Sequence, residues 1–129
     1  MSIVSNLNIL FVDDESFFIN AFKVQFEALF KSQHITLNCF DKVSDCLAFL
    51  KENKLNKTLV FSDISMPEQD GFDLLNEIRA NYPDLDLYFI SSNNEDMTKL
   101  KASSLGAKGF LSKPINFSAV NSILNDYSS

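Results

Sequence analysis

Acidic, basic and hydroxyl side chains follow four short apolar runs of this chain, each at the point where the run ends. These side chains are Asp13, Asp14, Asp63, Ser91 and Lys113. If the runs are parallel strands of one sheet, their carboxyl ends lie at the same edge, where open α/β sheets bind ligands. The five side chains would then share one charged pocket, although they lie far apart in the sequence.

The chemistry of such a pocket follows from its charges. Three carboxylates packed together repel one another, and this repulsion raises the pKa of at least one of them unless a cation is bound. Mg²⁺ prefers oxygen ligands and takes one or two carboxylates directly, so the pocket predicts a Mg²⁺ site, or a Mn²⁺ site in its place. A carboxylate beside Mg²⁺ and an ammonium group is arranged for phosphoryl transfer, because both cations neutralise charge on the transferring group.

Three of these residues have predicted roles in that transfer. Asp63 would attack phosphorus and become an aspartyl phosphate. Ser91 would donate a hydrogen bond to a phosphate oxygen, and Lys113 would supply a point charge. The residues of the pocket also have ordinary structural explanations. Asp13 and Asp14 can cap the first helix, Asp63 can be an ordinary loop acid, and Lys113-Pro114 can be a surface turn, while Ser91 alone is a weak signal. Their coincidence at the ends of successive runs favours a shared site.

Apolar runs alternate with amphipathic stretches along the whole chain, which predicts strands alternating with helices. The predicted strands are Leu7–Val12, Ile35–Phe40, Thr58–Phe61, Leu85–Ile90 and Gly109–Ser112. The predicted helices run from Ser16 to Lys31, through Cys46–Leu50, from Asp70-Gly71 to Asn81, from Glu95 to Leu105, and from Asn116 or Ser118 to Tyr127. This alternation implies a three-layer α/β/α sandwich, with a five-stranded parallel sheet, right-handed crossovers and helices on both faces.

Local patterns add detail to these elements. The first helix carries aromatic residues at four-residue spacing, which predicts one face buried on the sheet. They are Phe18, Phe22, Phe26 and Phe30. Asp41 or Ser44 is predicted to cap the second helix, and Gly106 to end the fourth. Apolar residues alternate with polar ones in the second strand, which predicts a place near an edge of the sheet.

Composition narrows the class of protein. The chain has 129 residues, which fits one domain over residues 1–129. Its net charge of −6 argues against general nucleic-acid binding and against docking on an anionic membrane surface. Cys39 and Cys46 are predicted to be reduced thiols, and with the lone His34 they cannot form a Cys/His metal site. With no signal peptide and no apolar run long enough to span a membrane, a cytoplasmic protein is predicted.

The strand-end residues also resemble a known family. Asp13-Asp14, the segment Asp63-Ile64-Ser65-Met66-Pro67-Glu68-Gln69-Asp70-Gly71, Ser91 and Lys113-Pro114 resemble the receiver domains of two-component response regulators. The resemblance covers essentially the whole chain, and its most specific part is the Asp-x-x-Met-Pro-x-x-Asp-Gly segment. It implies a flavodoxin-like strand order 2-1-3-4-5 and a bacterial signalling protein, here a single receiver domain with no output domain in the chain.

The resemblance also implies how the pocket works. Asp63 is the expected phosphoacceptor, and Lys113 is expected to contact the phosphate. Asp14, Asp63 and the backbone carbonyl of Ser65 are expected to bind Mg²⁺ directly, while Asp13 acts through a bound water.

Further residues are implied to report or tune the phosphorylated state. Ser91 is taken as the switch hydroxyl rather than Ser92, which stands where the family usually has Ala or Gly. Phe110 falls at the position of a rotating aromatic residue, often Tyr, but it has no hydroxyl to form a hydrogen bond, and a plain core Phe is the alternative. Ser65 and Asn93 are expected to influence the rate of dephosphorylation.

The implied partners follow from the same resemblance. A histidine kinase or phosphotransfer protein would supply the phosphoryl group, and an unidentified output protein would bind the face of helix four, strand five and helix five. No direct contact with nucleic acid or membrane is expected, and the domain would be a monomer or a weak phosphorylation-dependent dimer. It would not be an enzyme beyond catalysing its own phosphorylation and dephosphorylation.

Two other functions stay open at this point. A phosphatase of the haloacid-dehalogenase type also uses a strand-end Asp with Mg²⁺, but it needs a second Asp two residues later, where this chain has Ser65. A phosphorylation-independent interaction module would keep the pocket without using it.

Overall fold

Strands and helices alternate from one end of the computed structural model to the other, and it describes residues 7–93 and 95–127. The strands are β1 (Asn8–Val12), β2 (Thr36–Phe40), β3 (Thr58–Asp63), β4 (Asp86–Ser91) and β5 (Gly109–Ser112). The helices are α1 (Ser16–Ser32), α2 (Val43–Glu52), α3 (Gly71–Asn81), α4 (Asp96–Ser104) and α5 (Phe117–Asn125). The ten predicted elements are confirmed. α2 begins three residues before Cys46 and ends two residues after Leu50, and the ends of the other elements shift by at most two residues.

The five strands form one parallel sheet in the order β2-β1-β3-β4-β5, which confirms the flavodoxin-like order. β2 lies at an edge, as its alternating pattern predicts, whereas every residue of β3 is buried. Separate apolar clusters cover the two faces of the sheet. One contains buried residues of α1 and α5, and the other contains buried residues of α2, α3 and α4. The three-layer α/β/α sandwich is therefore confirmed.

The aromatic face of α1 is buried on the sheet along most of its length. Phe22, Phe26 and Phe30 are buried, and the ring of Phe22 also stacks on that of Phe11 in β1 with centroids 4.4 Å apart. Phe18 differs from the prediction, because it is only half-buried and lies at the end of the stripe nearest the carboxyl ends of the strands. The regular spacing thus predicts three core residues correctly and misplaces the fourth.

The predicted N-cap of α2 is wrong, whereas Asn116, one of the two predicted starts of α5, does cap that helix. The N-cap of α2 is Lys42, without a side-chain cap hydrogen bond, so neither Asp41 nor Ser44 serves as the cap. α5 begins after Asn116, whose side-chain oxygen accepts a hydrogen bond from the backbone N–H of Ala119 at 3.1 Å. α2 therefore forms without a side-chain cap, because packing of its buried apolar face supplies most of the stability of the helix.

α4 ends as predicted but is weakly anchored. Gly106 follows the helix with a φ of 102°, and the N–H of Ala107 bonds to the carbonyl of Ala102 at 3.0 Å, which is a Schellman ending. Ala102 is the one buried residue of the helix, all of which lies in the described part of the chain. Met97 and Leu100 are exposed on its surface. The helix therefore rests on less apolar burial than its neighbours.

Candidate functional site

Asp63 is the last residue of β3, because the strand runs two residues beyond the predicted end. It pairs with Ile90 of β4, and only 7% of its surface is exposed. Its Oδ1 accepts a hydrogen bond from the backbone N–H of Ile64 at 2.9 Å. The backbone on either side of Asp63 is therefore fixed, and its Oδ2 is left to face other side chains.

The Asp70-Gly71 pair positions the start of α3 directly behind Asp63. Asp70 and Asp73 form a capping box, in which each side chain accepts a hydrogen bond from the backbone N–H of the other. The N–H of Gly71 donates to the carbonyl of Ile64 at 2.7 Å. A Cβ at Gly71 would lie 2.3 Å from the carbonyl oxygen of Asp63. Glycine is therefore required after Asp70, because any side chain at Gly71 would collide with the backbone of Asp63.

Gly71→Ala is therefore expected to lower the free energy of unfolding by about 2 kcal/mol, because overpacking a rigid site forces the backbone to shift. Urea unfolding of the variant and of the wild-type protein measures the difference. Gly109→Ala is the comparison, because the added Cβ there meets the ring of Tyr88, which can move, and its cost should be smaller. A Gly71→Ala protein as stable as wild type would contradict the close approach.

Four carboxylates meet beside the end of β3. Asp13, Asp14, Glu15 and Asp63 each place a carboxylate oxygen within 4.8 Å of the others. Asp13 and Asp63 are buried, and the other two are exposed. Asp13 does not cap α1, which begins after Glu15 without a side-chain cap. Instead, Oδ1 of Asp13 accepts a hydrogen bond from the N–H of Glu15 at 2.9 Å. The cluster therefore contains Glu15, to which the sequence analysis gives no role.

Lys113 inserts its ammonium group into this cluster. Its Nζ lies 2.9 Å from Oδ2 of Asp13 and 3.5 Å from Oδ2 of Asp63. It also lies 3.3 Å from Oε1 of Glu15, and only 4% of the lysine side chain is exposed. The peptide bond from Lys113 to Pro114 is cis. The structure thus brings three of the predicted site residues into contact.

An aromatic ring covers the same ammonium group. The centroid of the Phe18 ring lies 4.0 Å from Nζ of Lys113, a cation–π contact. Phe18 is thus part of the pocket and not of the core stripe to which its spacing assigns it. The sequence could have indicated this role, because Phe18 lies one helical turn after Glu15, at the end of α1 nearest the pocket.

Burial and mutual repulsion set the protonation of the pocket. Burial raises the pKa of Asp63 to about 6, and the charge of Asp13 adds to the rise, while Lys113 opposes it. Burial also raises the pKa of Asp13, against the effect of its hydrogen bonds. Burial alone would lower the pKa of Lys113, but the neighbouring carboxylates outweigh it and hold that pKa above its usual value. Without a bound metal ion, the folded pocket therefore disfavours the charged forms of Asp13 and Asp63.

The donor set fits a hard cation. All four clustered side chains offer carboxylate oxygens, the ligands that Mg²⁺ prefers. Oδ2 of Asp13 is buried and has an ion pair with Lys113 but no hydrogen bond within the described residues. A buried oxygen of this kind still has lone pairs to offer, so the acidic cluster can accept more positive charge than the one lysine supplies.

The other predicted residues lie around this centre. Ser91 is buried at the end of β4, where its hydroxyl oxygen accepts a hydrogen bond from the N–H of Asn93 at 3.0 Å. Its carbonyl accepts a hydrogen bond from the N–H of Lys113 at 3.0 Å, which links the two strand ends. Ser65 and Asn93 are exposed beside the site. The half-buried ring of Phe110 lies beneath the ammonium of Lys99 at 5.7 Å.

Comparison with known families bears on the open alternatives. Residues 9–125 match the response regulator receiver domain family. The chain belongs to this family. Receiver domains act in two-component signalling, and neither the phosphatase nor the phosphorylation-independent module gains support from the comparisons.

Relatives of this receiver domain occur in plants and bacteria. It is 33% identical over 118 residues to two-component response regulator ORR24 of Oryza sativa subsp. indica, which covers 91% of this chain and 18% of the rice protein. It is 39% identical over 66 residues to the DNA-binding transcriptional regulator NtrC of Rhizobium meliloti, which covers 51% of this chain and 14% of that protein. The receiver domain thus spans less than a fifth of these relatives, and a bacterial origin stays a prediction.

Solved structures show the same fold. A response regulator receiver domain protein from Clostridium thermocellum superposes with a TM-score of 0.81 at 23% identity, covering 94% of this chain and 93% of that chain. The signal receiver domain of an HD domain-containing protein from Pseudomonas fluorescens Pf-5 also superposes with a TM-score of 0.81 at 23% identity, covering 95% of this chain and 94% of that chain.

Within residues 7–93 and 95–127, no helix is both long and apolar enough to cross a membrane.

Proposed function

We propose that this receiver domain accepts a phosphoryl group on Asp63 from a histidine kinase or a phosphotransfer protein. The observation that carries the proposal is the contact of this carboxylate with Lys113, inside a cluster of acidic side chains at the carboxyl edge of the sheet. Nucleophile and counter-charge are then in place before a donor arrives, which is how phosphoryl transfer is catalysed.

Phosphoryl transfer to Asp63 exchanges a bond from phosphorus to nitrogen for a bond from phosphorus to oxygen. A carboxylate oxygen of Asp63 attacks phosphorus and forms an O–P bond, while the bond from phosphorus to the donor's histidine nitrogen breaks and its electron pair stays on nitrogen. Lys113 Nζ, 3.5 Å from Oδ2 of Asp63, neutralises charge on the phosphoryl oxygens. Hydrolysis later joins water to phosphorus, releases inorganic phosphate and restores the carboxylate. Apart from this self-catalysed cycle, we propose no enzymatic activity.

A divalent cation, Mg²⁺ or Mn²⁺, is proposed to bind beside the acceptor. Asp14, Asp63 and the backbone carbonyl of Ser65 would hold it directly, and Asp13 would act through a water. When bound, the cation supplies positive charge to the phosphoryl oxygens. Because protons compete for the same carboxylates, binding should weaken as the pH falls through about 6, the pKa of Asp63.

The output is proposed to be a change in protein–protein contact. Ser91 would turn its hydroxyl toward the phosphoryl group and give up its hydrogen bond from the N–H of Asn93. Phe110 would repack between α4 and β5. The face of α4, β5 and α5 would then meet an output protein, and Met97 and Leu100 already expose apolar surface on α4. A cytoplasmic location and a monomer or weak phosphorylation-dependent dimer complete the proposal.

Incubation of the domain with acetyl phosphate, with and without Mg²⁺, tests the acceptor. Intact-mass measurement should show one phosphoryl group per chain only when Mg²⁺ is present, and peptide mapping should place it on Asp63. Labelling on the peptide that contains Asp13 and Asp14 would overturn the assignment. Absence of any labelling would favour the phosphorylation-independent module, and sustained release of phosphate from monoesters would favour the phosphatase.

A further inference from the structure

The ammonium group of Lys113 lies between carboxylates and an aromatic ring. Asp13 and Asp63 contact it from the buried side of the pocket, while Glu15 approaches it from a side chain that is 57% exposed. The ring of Phe18 covers it at 4.0 Å. Both Glu15 and Phe18 belong to the start of α1, so one turn of chain contacts the lysine in two different ways.

These two contacts act on the lysine in opposite directions. The side chain of Glu15 is 57% exposed, so an ammonium group that pairs more closely with it would lie nearer to water. The ring offers no solvated partner and excludes water from the face that it covers. A cation–π contact is stronger when it is desolvated, and the side chain of Lys113 is only 4% exposed. The ring thus favours the buried position of the ammonium.

We propose that Phe18 is a positioning residue that holds Nζ of Lys113 inside the pocket beside Asp63, against the attraction of Glu15. This inference rests on the proposed function, because the position matters for the charge that develops during phosphoryl transfer. A charge fixed in advance stabilises that transition state without reorganisation, whereas a displacement of about 1 Å can cost a large factor in rate.

The aromatic character of Phe18 is required as well as its size. Leu fills similar space and is apolar, but it has no ring face to attract a cation. Tyr keeps the ring face and adds only a hydroxyl, at a position that is half-buried. Phe18→Leu and Phe18→Tyr therefore separate a positioning role from simple packing.

The matched control uses a second phenylalanine beneath a lysine. The ring of Phe72 lies 4.3 Å from Nζ of Lys101, and it joins α3 to α4 outside the carboxylate cluster. Phe72→Leu removes the same kind of contact from a different place. General loss of a cation–π contact, or of an aromatic ring, would affect both Leu variants alike.

The experiment measures the rate of phosphoryl labelling of Asp63 by acetyl phosphate at saturating Mg²⁺. We expect Phe18→Leu to be labelled about 3- to 10-fold more slowly than wild type, as loss of a partly desolvated cation–π contact implies. Phe18→Tyr and Phe72→Leu should stay within about twofold of wild type. In a Glu15→Gln background the effect of Phe18→Leu should shrink, because the competing carboxylate is gone.

Several results would overturn the inference. Wild-type labelling of Phe18→Leu would show that the ring does not position the lysine, and equal slowing of the Leu and Tyr variants would show that ring character is irrelevant. If Phe18→Leu slowed labelling as much in the Glu15→Gln background as in wild type, Glu15 would not compete with the pocket for the lysine. If wild-type protein itself is not labelled on Asp63, the proposed function fails first, so the two failures are distinguishable.

Discussion

Asp63→Asn is expected to abolish phosphoryl labelling while making the metal-free protein more stable at neutral pH. Labelling is lost because an amide is a poor nucleophile toward phosphorus. The gain in stability follows from the buried carboxylate, whose pKa of about 6 shows that the folded pocket disfavours its charged form. The residue that the proposed function needs is therefore one that weakens the fold.

The sign of the stability change depends on pH. The pKa of Asp63 is higher in the folded state than the ordinary value of 3.8, so the folded protein binds this proton more tightly than the unfolded chain does. The stability linked to the proton is fully present below about pH 4 and is lost as the pH rises through about 6. At pH 7.5 the variant should therefore gain about 1 kcal/mol, less than the shift alone implies because solvent screens the pocket.

Urea unfolding without metal at pH 7.5 and at pH 4.5 measures this effect. Asp63→Asn should exceed wild type at the higher pH, and the difference should be clearly smaller at the lower one. Asp84→Asn is the control, because Asp84 is exposed in the turn before β4, and it should change neither labelling nor stability appreciably. Undiminished labelling of Asp63→Asn would overturn the acceptor, and a variant less stable than wild type would contradict the electrostatic account.

Lys113→Met is expected to destabilise the metal-free protein by about 3 kcal/mol at neutral pH. Met replaces the apolar stem of the lysine but leaves Asp13 and Asp63 buried without a cation. Removal of one partner from a buried ion pair is costly mainly because the other charge stays behind. Protonation relieves that charge. Without Lys113 to oppose the rise, the pKa of Asp63 lies above its wild-type value of about 6, so the defect should already shrink as the pH falls toward 6.

Lys108→Met provides the matched comparison. The ammonium of Lys108 lies 3.8 Å from Asp86 with its side chain 57% exposed, and an exposed pair of this kind contributes at most about 1 kcal/mol. Chemical unfolding of both variants, with and without Mg²⁺, separates the two environments. Equal losses in the two variants would show that burial of the Lys113 pair has no special effect. A Lys113 defect that does not shrink at low pH would point to packing instead of charge.

The fold follows from patterns that are local in sequence. Alternation of apolar runs with amphipathic stretches predicts all ten elements, because the apolar runs form the strands and the amphipathic stretches form the helices that cover them. The caps of α1 and α2 are less predictable, since tertiary packing starts those helices without a side-chain hydrogen bond. β3 also extends to Asp63 because its ladder with β4 continues to the Asp63–Ile90 pair, whereas its ladder with β1 ends at Ser62.

The pocket is predictable only in part for a physical reason. Asp13, Asp63 and Lys113 follow strands, and the carboxyl ends of parallel strands must share an edge. Glu15 and Phe18 reach the same place from α1, and their contribution depends on the rotation of that helix about its axis. An apolar stripe at four-residue spacing reads as core throughout, so it does not show that its first ring leaves the sheet to cover a lysine.

α4 has one buried residue, whereas α3 has four. Amide protons in such a segment exchange through local opening of low free energy, while those of the buried central strands wait for global unfolding. Displacement of the loop after β4 can therefore change the opening equilibrium of α4 and leave the packing of the sheet intact. Signal output would then be a shift in how often one helix is open, at little cost to the rest of the domain.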